Sequence, residues 1–283
     1  MNNIKVIGLF IYPVKSMQGI PLKRAQVTGK GLVNDRQWMV VRSNGRFVTQ
    51  RDMPRMALVH TSLDENGLVL SKPGHGGIGV PYDLHTGERI DTMVWDDFCE
   101  TIDQGEAISD WLTHALGSNE TLRLVRMNPG FKRSLGKAAL MSEATTTDFA
   151  DSAPVLVANE ASLDRLNSVL ESKALQSVPM NRFRPNIVVK GLEPFAEHNL
   201  ATLSTDNYQL KLCYPCKRCI VTTINQDTAE KDPQGQPFKT LRSINPMPGD
   251  DKAPAFGENA ILAHGNHEHI AVGDILDPKF KYI

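Results

Sequence analysis

The chain is short of cysteine, of any surplus of one charge and of long apolar runs, and each shortage closes a class of function. Four cysteines in 283 residues are too few for a disulfide framework. Lysine and arginine total 31 against 32 aspartates and glutamates, a formal net charge of −1. That balance argues against a dominant nucleic-acid footprint and against a polybasic membrane anchor, both of which need a large positive excess. No apolar run approaches the roughly 20 residues that a membrane span requires. The longest, Val6 to Val14, is broken by Gly8 and Pro13 and reads as a strand. The opening Met-Asn-Asn-Ile-Lys has no charged stretch leading into an apolar one, so no secretory signal is visible. No internal repeat and no Pro- or Ser-rich linker stands out. What remains is 41% hydrophobic and 22% charged, ordinary for a globule with a core. The expectation is a cytoplasmic protein of one large domain or two modest ones, binding neither nucleic acid nor membrane.

The first hundred residues punctuate like a β-rich domain. Ile4 to Tyr12 is an apolar strand ended by Pro13. Trp38 to Arg42 and Arg46 to Gln50 flank Ser43-Asn44-Gly45, and Met56 to Leu63 and Leu68 to Leu70 flank Asp64-Glu65-Asn66-Gly67. Asn-Gly is a strong hairpin signal because turn residues must tolerate positive φ. Helices are few. Ile108, Trp111, Leu112, Ala115 and Leu116 recur at helical spacing before Gly117, and Leu163, Leu166, Val169 and Leu170 repeat the pattern after Asn159-Glu160. Strands are expected again at Asn186 to Lys190, Tyr208 to Leu212, Ile220 to Ile224, Ala260 to Ala263 and Ile270 to Leu276. The fold class is mainly β with a few helices, and the boundary is expected in the polar stretch from Ser118 to Arg133.

Three local patterns suggest chemistry. Gly74-His75-Gly76-Gly77-Ile78-Gly79 matches a dinucleotide fingerprint, but Pro81 forbids the helix that must follow it, so a flexible loop is expected. His264, His267 and His269 read as the solvated tip of a hairpin rather than a metal site. Cys213, Cys216 and Cys219 are the most specific signal. Three thiolates could serve zinc or an iron–sulfur cluster, although both usually want a fourth protein ligand. Cys213 ends an apolar strand and is expected to be buried. Cys216 and Cys219 bracket Lys217-Arg218, whose cations favour a thiolate, so either could be reactive or ligating. Further cations sit where strands end or begin: Lys15-Ser16, Arg36 and Arg184, the last pushed towards an extended backbone by Pro185. Gathered in space with Arg218, they would bind an anion such as a phosphate.

Five blocks in order resemble the MOSC proteins, named for the C-terminal domain of molybdenum cofactor sulfurase. They are Tyr12-Pro13-Val14-Lys15-Ser16, Asn34-Asp35-Arg36-Gln37-Trp38, Asp151-Ser152-Ala153-Pro154, Phe183-Arg184-Pro185-Asn186-Ile187-Val188 and Cys216-Lys217-Arg218-Cys219-Ile220-Val221-Thr222-Thr223. Within that family the likeness is to the mitochondrial amidoxime-reducing component and its bacterial relatives. The resemblance implies a MOSC N-terminal β-barrel domain over residues 1–122 and a β-barrel MOSC domain over 123–283. It implies a molybdenum cofactor, molybdenum–molybdopterin, in a cleft between them. By the same resemblance Cys219 is the metal ligand and catalytic centre. Lys15, Ser16, Arg36, Ser152, Arg184, Asn186, Lys217 and Arg218 hold the pterin and its phosphate, and Asp151 and Asn259 fall on or beside further contacts. Glu193 is the expected proton-shuttling acid.

The implied activity is reduction of N-hydroxylated compounds (hydroxylamines, amidoximes, hydroxylated base analogues) by oxygen-atom transfer to molybdenum. The alternatives are a carrier of the cofactor or its sulfur without turnover, and a zinc or iron–sulfur protein. Two departures stand out: His198 lies where relatives commonly have tryptophan, and Asn259 where the reducing component has tyrosine. The sequence lacks the cysteines of the plant-type ferredoxin domain that several bacterial relatives carry, so either a separate electron-transfer protein, a ferredoxin or a flavoprotein reductase, is the expected partner, or the natural protein is longer.

Overall fold

The first strand shows how the chain encodes its own irregularity. In Ile4–Ile11 the buried side chains are Ile4 and Val6, then Leu9 and Ile11, so the two-residue alternation slips by one in the middle. The slip coincides with a register shift against the strand Ile187–Lys190 between Val6 and Gly8, a β-bulge that turns the second half of the strand and keeps its apolar side chains inward. The computed structural model describes residues 3–83, 87–133, 135, 141 and 145–281.

Seven strands close a barrel. In ring order they are Val155–Asn159, Ile187–Lys190, Ile4–Ile11, Ile275–Phe280, Leu200–Ser204, Gln209–Lys217 and Asp250–His264, the last pairing back onto Val155–Asn159. Val6, Leu9, Val155, Val157, Ile187, Leu210, Leu212 and Ala260 fill the interior. One pairing, Val155–Asn159 with Ile187–Lys190, is parallel and needs a crossover, which helix α2 (Glu160–Ser172) supplies. Asn159 caps α2 as its sequence suggested, the side-chain oxygen accepting the Ala161 N–H at 3.2 Å.

The rest of the chain builds smaller sheets beside the barrel. Trp38–Arg42, Leu122–Met127, Asp97–Asp103 and Arg89–Val94 form one, and His60–Leu63, Gly67–Lys72 and Gly76–Pro81 another. Helix α1 (Glu106–Leu116) packs Ile108, Leu112 and Leu116 against Trp38, Val40, Leu68 and Leu70, and ends on Gly117 in the left-handed conformation at φ 58°. A boundary between residues 122 and 123 would cut the strand Leu122–Met127, which pairs with Trp38–Arg42 and Asp97–Asp103. The first strand, conversely, belongs to the barrel.

Several local expectations need correcting. Residues 74–79 are not a flexible loop: Gly76–Pro81 is a strand paired with Gly67–Lys72, because Val80 alternates inward against Leu68. Arg46–Gln50 follows the expected turn, with the Arg42 N–H donating to the Arg46 carbonyl, but makes isolated bridges, Phe47 to Val41 and Arg46 to Met93, rather than a strand. Met56 lies in a 3-10 turn, Pro54–Leu58, opened by Pro54 at its first position. Ile220–Thr223 is a 3-10 turn rather than a strand, since the hydroxyls of Thr222 and Thr223 donate back to the carbonyls of Cys219 and Ile220. The three histidines are exposed as expected, but His269–Ala271 pairs with Arg24–Thr28 instead of folding back on the preceding strand.

Barrel closure depends on Gly257, at φ 74°, where an added Cβ would lie 2.7 Å from the Val157 carbonyl oxygen across the closing ladder. Gly257→Ala is expected to destabilise by about 1–3 kcal/mol, visible as a lowered midpoint in urea unfolding.

Candidate functional site

The site forms on the outer face of the barrel wall. Val155, Val157 and Ala260 point into the barrel, so Leu156 and its cross-strand partner Asn259 point outwards and line a cleft. Around them gather the segment after the first strand, the turn before Trp38, the lead-in to Val155, the lead-in to Ile187 and the end of the bulged strand Gln209–Lys217. The register shifts in that last strand, between Leu212 and Tyr214 and between Pro215 and Lys217, turn its end towards the cleft. Lys15, Ser16, Arg36, Asp151, Ser152, Arg184, Asn186, Lys217, Arg218, Cys219 and Asn259 all line this one cavity. Spacing along the chain could not show that convergence.

Tyr12 organises the cations. Its N–H donates to Asp35 at 2.8 Å and its hydroxyl to the Pro185 carbonyl at 3.2 Å. The Arg36 and Arg184 guanidiniums lie over its ring at 4.5 and 4.2 Å. Burial pushes the Tyr12 phenol up to about 12, so it stays neutral. Arg36 is well anchored: it donates to Asp35 at 2.5 Å, to the Asn186 side-chain oxygen at 3.1 Å and to the Arg184 carbonyl at 3.2 Å. Asn186 in turn accepts the Leu156 N–H and donates to the Phe10 carbonyl, so one buried amide ties two strands to the Arg36 turn.

Arg184 departs from its sequence expectation. Instead of an extended backbone before Pro185 it has φ 53°, and Ser16 and Arg36 are also left-handed, at 69° and 48°. Such conformations cost about 1–3 kcal/mol each and persist where surroundings over-determine them. Here the Tyr12 ring and a 2.6 Å hydrogen bond from Arg184 to the Met17 carbonyl do so. Among the described residues the Arg184 Nη2 and the Arg218 Nε are buried donors without a partner. Desolvation, with Arg36 adding repulsion against the attraction of Tyr12, lowers the Arg184 guanidinium to about 10. The cleft is short of negative charge, and these donors suit a phosphate.

Lys15 is buried and donates to the Phe149 carbonyl at 2.8 Å and to Asp151 at 2.6 Å. Burial would raise the Asp151 carboxyl, but Lys15 outweighs it and holds the group below the usual carboxylate range. Lys217 sits at the exposed rim, paired with Asp250 at 2.6 Å.

The cysteines do not act as a cluster. Cys213 is half-buried outside the cleft, Cys216 accepts from Arg218 at 2.9 Å, and Cys219 is exposed and accepts from Arg51 at 3.3 Å. Among the described residues no group of three or more His, Cys, Asp or Glu side chains is arranged to hold a metal. Glu193 also falls away from the site. Asn186 precedes the strand Ile187–Lys190 at the cleft, whereas Glu193 follows its far end, about 13 Å along at strand rise, and is exposed. Its carbonyl, not its carboxylate, is used, accepting from Asn159. Arg51 was invisible in the sequence because the polar turn Gln50-Arg51-Asp52 resembles any solvated turn.

Residues 3–119 match the family described as the MOSC N-terminal beta barrel domain, and residues 144–277 match the MOSC domain. The chain is 34% identical over 281 residues to mitochondrial amidoxime-reducing component 1 of Homo sapiens, spanning 95% of this chain and 81% of that protein. It is 34% identical over 247 residues to mitochondrial amidoxime reducing component 2 of Rattus norvegicus, spanning 84% and 71%. The chain belongs to the MOSC family.

In this MOSC chain His198, the departure from tryptophan, is no vacancy in the packing. It bonds the fully buried Glu258 at 2.8 Å and meets the Asn245 amide at 3.0 Å, bracing the strand that carries Asn259. No helix among the described residues is long and apolar enough to cross a membrane.

Two measurements check the electrostatics. Inorganic phosphate should raise the melting temperature of the cofactor-free protein by about 5 °C at saturating excess, and Arg184→Gln should remove the rise. Because the Asp151 pKa is depressed on folding, the Lys15–Asp151 pair stabilises fully above the ordinary carboxylate range. The stability gap between wild type and Asp151→Asn should therefore hold from pH 7 down to about 5 and shrink below about pH 4.

Proposed function

We propose that this protein is a molybdenum-cofactor oxidoreductase that reduces N-hydroxylated compounds (hydroxylamines, amidoximes and hydroxylated base analogues) to the parent amine or amidine. Its electrons come from a separate carrier, a ferredoxin or a flavoprotein reductase. The observation that carries the reading is an exposed thiol, Cys219, on the rim of a cleft whose buried guanidinium donors at Arg184 and Arg218 lack a partner. The names of the relatives, amidoxime-reducing components, agree with it.

The residues present fit the cofactor. A cysteine sulfur is the soft ligand a molybdenum centre takes, and the free N–H groups of Arg184 and Arg218 match phosphate oxygens. When bound, the cofactor supplies the two-electron chemistry that cleaves the N–O bond. The protein's own part is positional. Cys219 would ligate the metal, while Arg184 and Arg218, with Lys15 and Ser16 beside them, would seat the phosphate. Asp35 and Asn186 fix Arg36, and Asp151 fixes Lys15, before anything binds, so little reorganisation is required. Asp151 stays ionised at neutral pH and Glu193 lies outside, so protons enter from water at the exposed Cys219 edge.

Cys219→Ala is expected to abolish molybdenum content and lower turnover by at least about 100-fold with the fold intact, since Cys219 is exposed and among the described residues accepts only from Arg51. Cys216→Ala should retain the metal, and Glu193→Gln should change kcat by less than about two-fold. Molybdenum retained in Cys219→Ala would overturn the assignment. A loaded wild type that never oxidises a reduced dye when given an N-hydroxylated compound would be a carrier instead.

A further inference from the structure

Trp95 occupies a position that ordinary turn chemistry gives to glycine. It is the first residue of the two-residue turn joining Arg89–Val94 to Asp97–Asp103, where Val94 pairs with Asp97. Its φ is 57°, an outlier for so bulky a side chain. The strain does not serve burial, because Trp95 is 48% exposed and contributes to none of the hydrophobic cores.

The indole is held against the cleft instead. Its N–H donates to Asp151 at 3.0 Å, the Arg51 guanidinium lies 4.6 Å over its ring, and Phe47 meets it edge-on at 5.4 Å. Arg51 is the residue that also donates to Cys219. Beyond Trp95 opens a groove of about 500 Å³ walled by Phe47, Met93 and Phe98, a size suited to a small organic molecule. Groove and cleft are neighbours across a smaller pocket: Thr49 and Arg51 line both the cleft and that pocket, and Phe47 and Trp95 line both that pocket and the groove. Met93, Trp95 and Phe98 stand among the few large apolar side chains exposed in the described residues, and they gather here.

We propose that this groove is the subsite for the aromatic ring of an aryl N-hydroxylated substrate. Trp95 and Phe47 supply the aromatic walls, and Arg51 stands at the junction between the ring and the reacting nitrogen. The inference rests on the reductase reading for the identity of the reacting group. The aromatic walls, Phe47, Trp95 and Phe98, select the remainder of the molecule, since a ring gains from stacking there and a methyl group does not, while Arg46 and Asp91 lie among the other lining residues. Trp95 is thus a specificity-determining residue, carried on a strained turn because that conformation projects its indole over the passage.

Trp95→Gly relieves the turn and removes the ring, and Phe98→Ser opens the opposite wall. With the molybdenum-loaded full chain, kcat/KM for an aryl amidoxime relative to methyl amidoxime should fall about ten-fold in Trp95→Gly, through KM. It should recover substantially in Trp95→Phe, and Phe98→Ser should lower the same ratio. With no electron donor present, the aryl amidoxime should quench tryptophan fluorescence saturably in wild type, and Trp95→Gly should lose the quench. An unchanged ratio, or a quench that survives the loss of Trp95, overturns the proposal, as does a Trp95→Gly protein that melts well below wild type. A wild type that binds the aryl compound through Trp95 yet reduces neither substrate removes the reductase reading and leaves the aromatic subsite standing.

Discussion

The site depends on an excess of positive charge held out of water. Lys15, Arg36, Arg184 and Arg218 share one cleft whose described lining holds a single carboxylate, Asp151; it is already paired with Lys15, and Asp35, buried beside the cleft, is already paired with Arg36. Burial raises the cost of every unpaired charge, which is why the Arg184 guanidinium is pushed down to about 10; its Nη2 finds no partner among the described residues. Such an arrangement is stable because the paired cations are anchored so firmly. Asp35 takes the Tyr12 N–H as well as Arg36, and Asn186 ties the Arg36 turn to two barrel strands. The remaining donors are then preorganised for an anion.

The barrel makes this possible by providing a rigid outer wall. Leu156 and Asn259 present one face to the core's outside while their neighbours pack the interior, so the cleft floor inherits the stiffness of a closed sheet. Strained backbone at Ser16, Arg36 and Arg184 rests on that stiffness. Cys219 is different in kind. It lies just past the bulged strand, on the edge of a 3-10 turn, exposed, with Arg51 as its neighbour. Anchored cations behind and an accessible sulfur in front give the cleft two ends with different chemistry. The hairpin carrying Trp95 then adds a third, aromatic side from the other half of the chain.

Much of the fold could be read from the sequence where the signal is local. The Asn159 cap, the Gly117 stop, the strand Ile4–Ile11 and the turn at Asn44-Gly45 all depend on a few consecutive residues, and they form as expected. Where the deciding contact is distant, local signals misled. Gly76–Pro81 became a strand because Leu68 and Leu70 offered an apolar face, and Arg184 took a left-handed backbone because Tyr12 and Met17 hold its side chain.

The sequence by itself determined the mainly β class, the few helices and their caps, and the five blocks that mark the MOSC family. Those blocks also named the cations and the cysteine that meet in the cleft. Only the tertiary structure decided that they meet on the outer barrel wall, that Glu193 lies beyond the far end of its strand, and that Arg51, stacked on Trp95, reaches Cys219. The physical reason is the range of the determinants. A cap or a turn is settled by neighbours in the chain, whereas a cleft is settled by ladder register and bulges that place residues 168 positions apart, Arg51 and Cys219, within hydrogen-bonding distance.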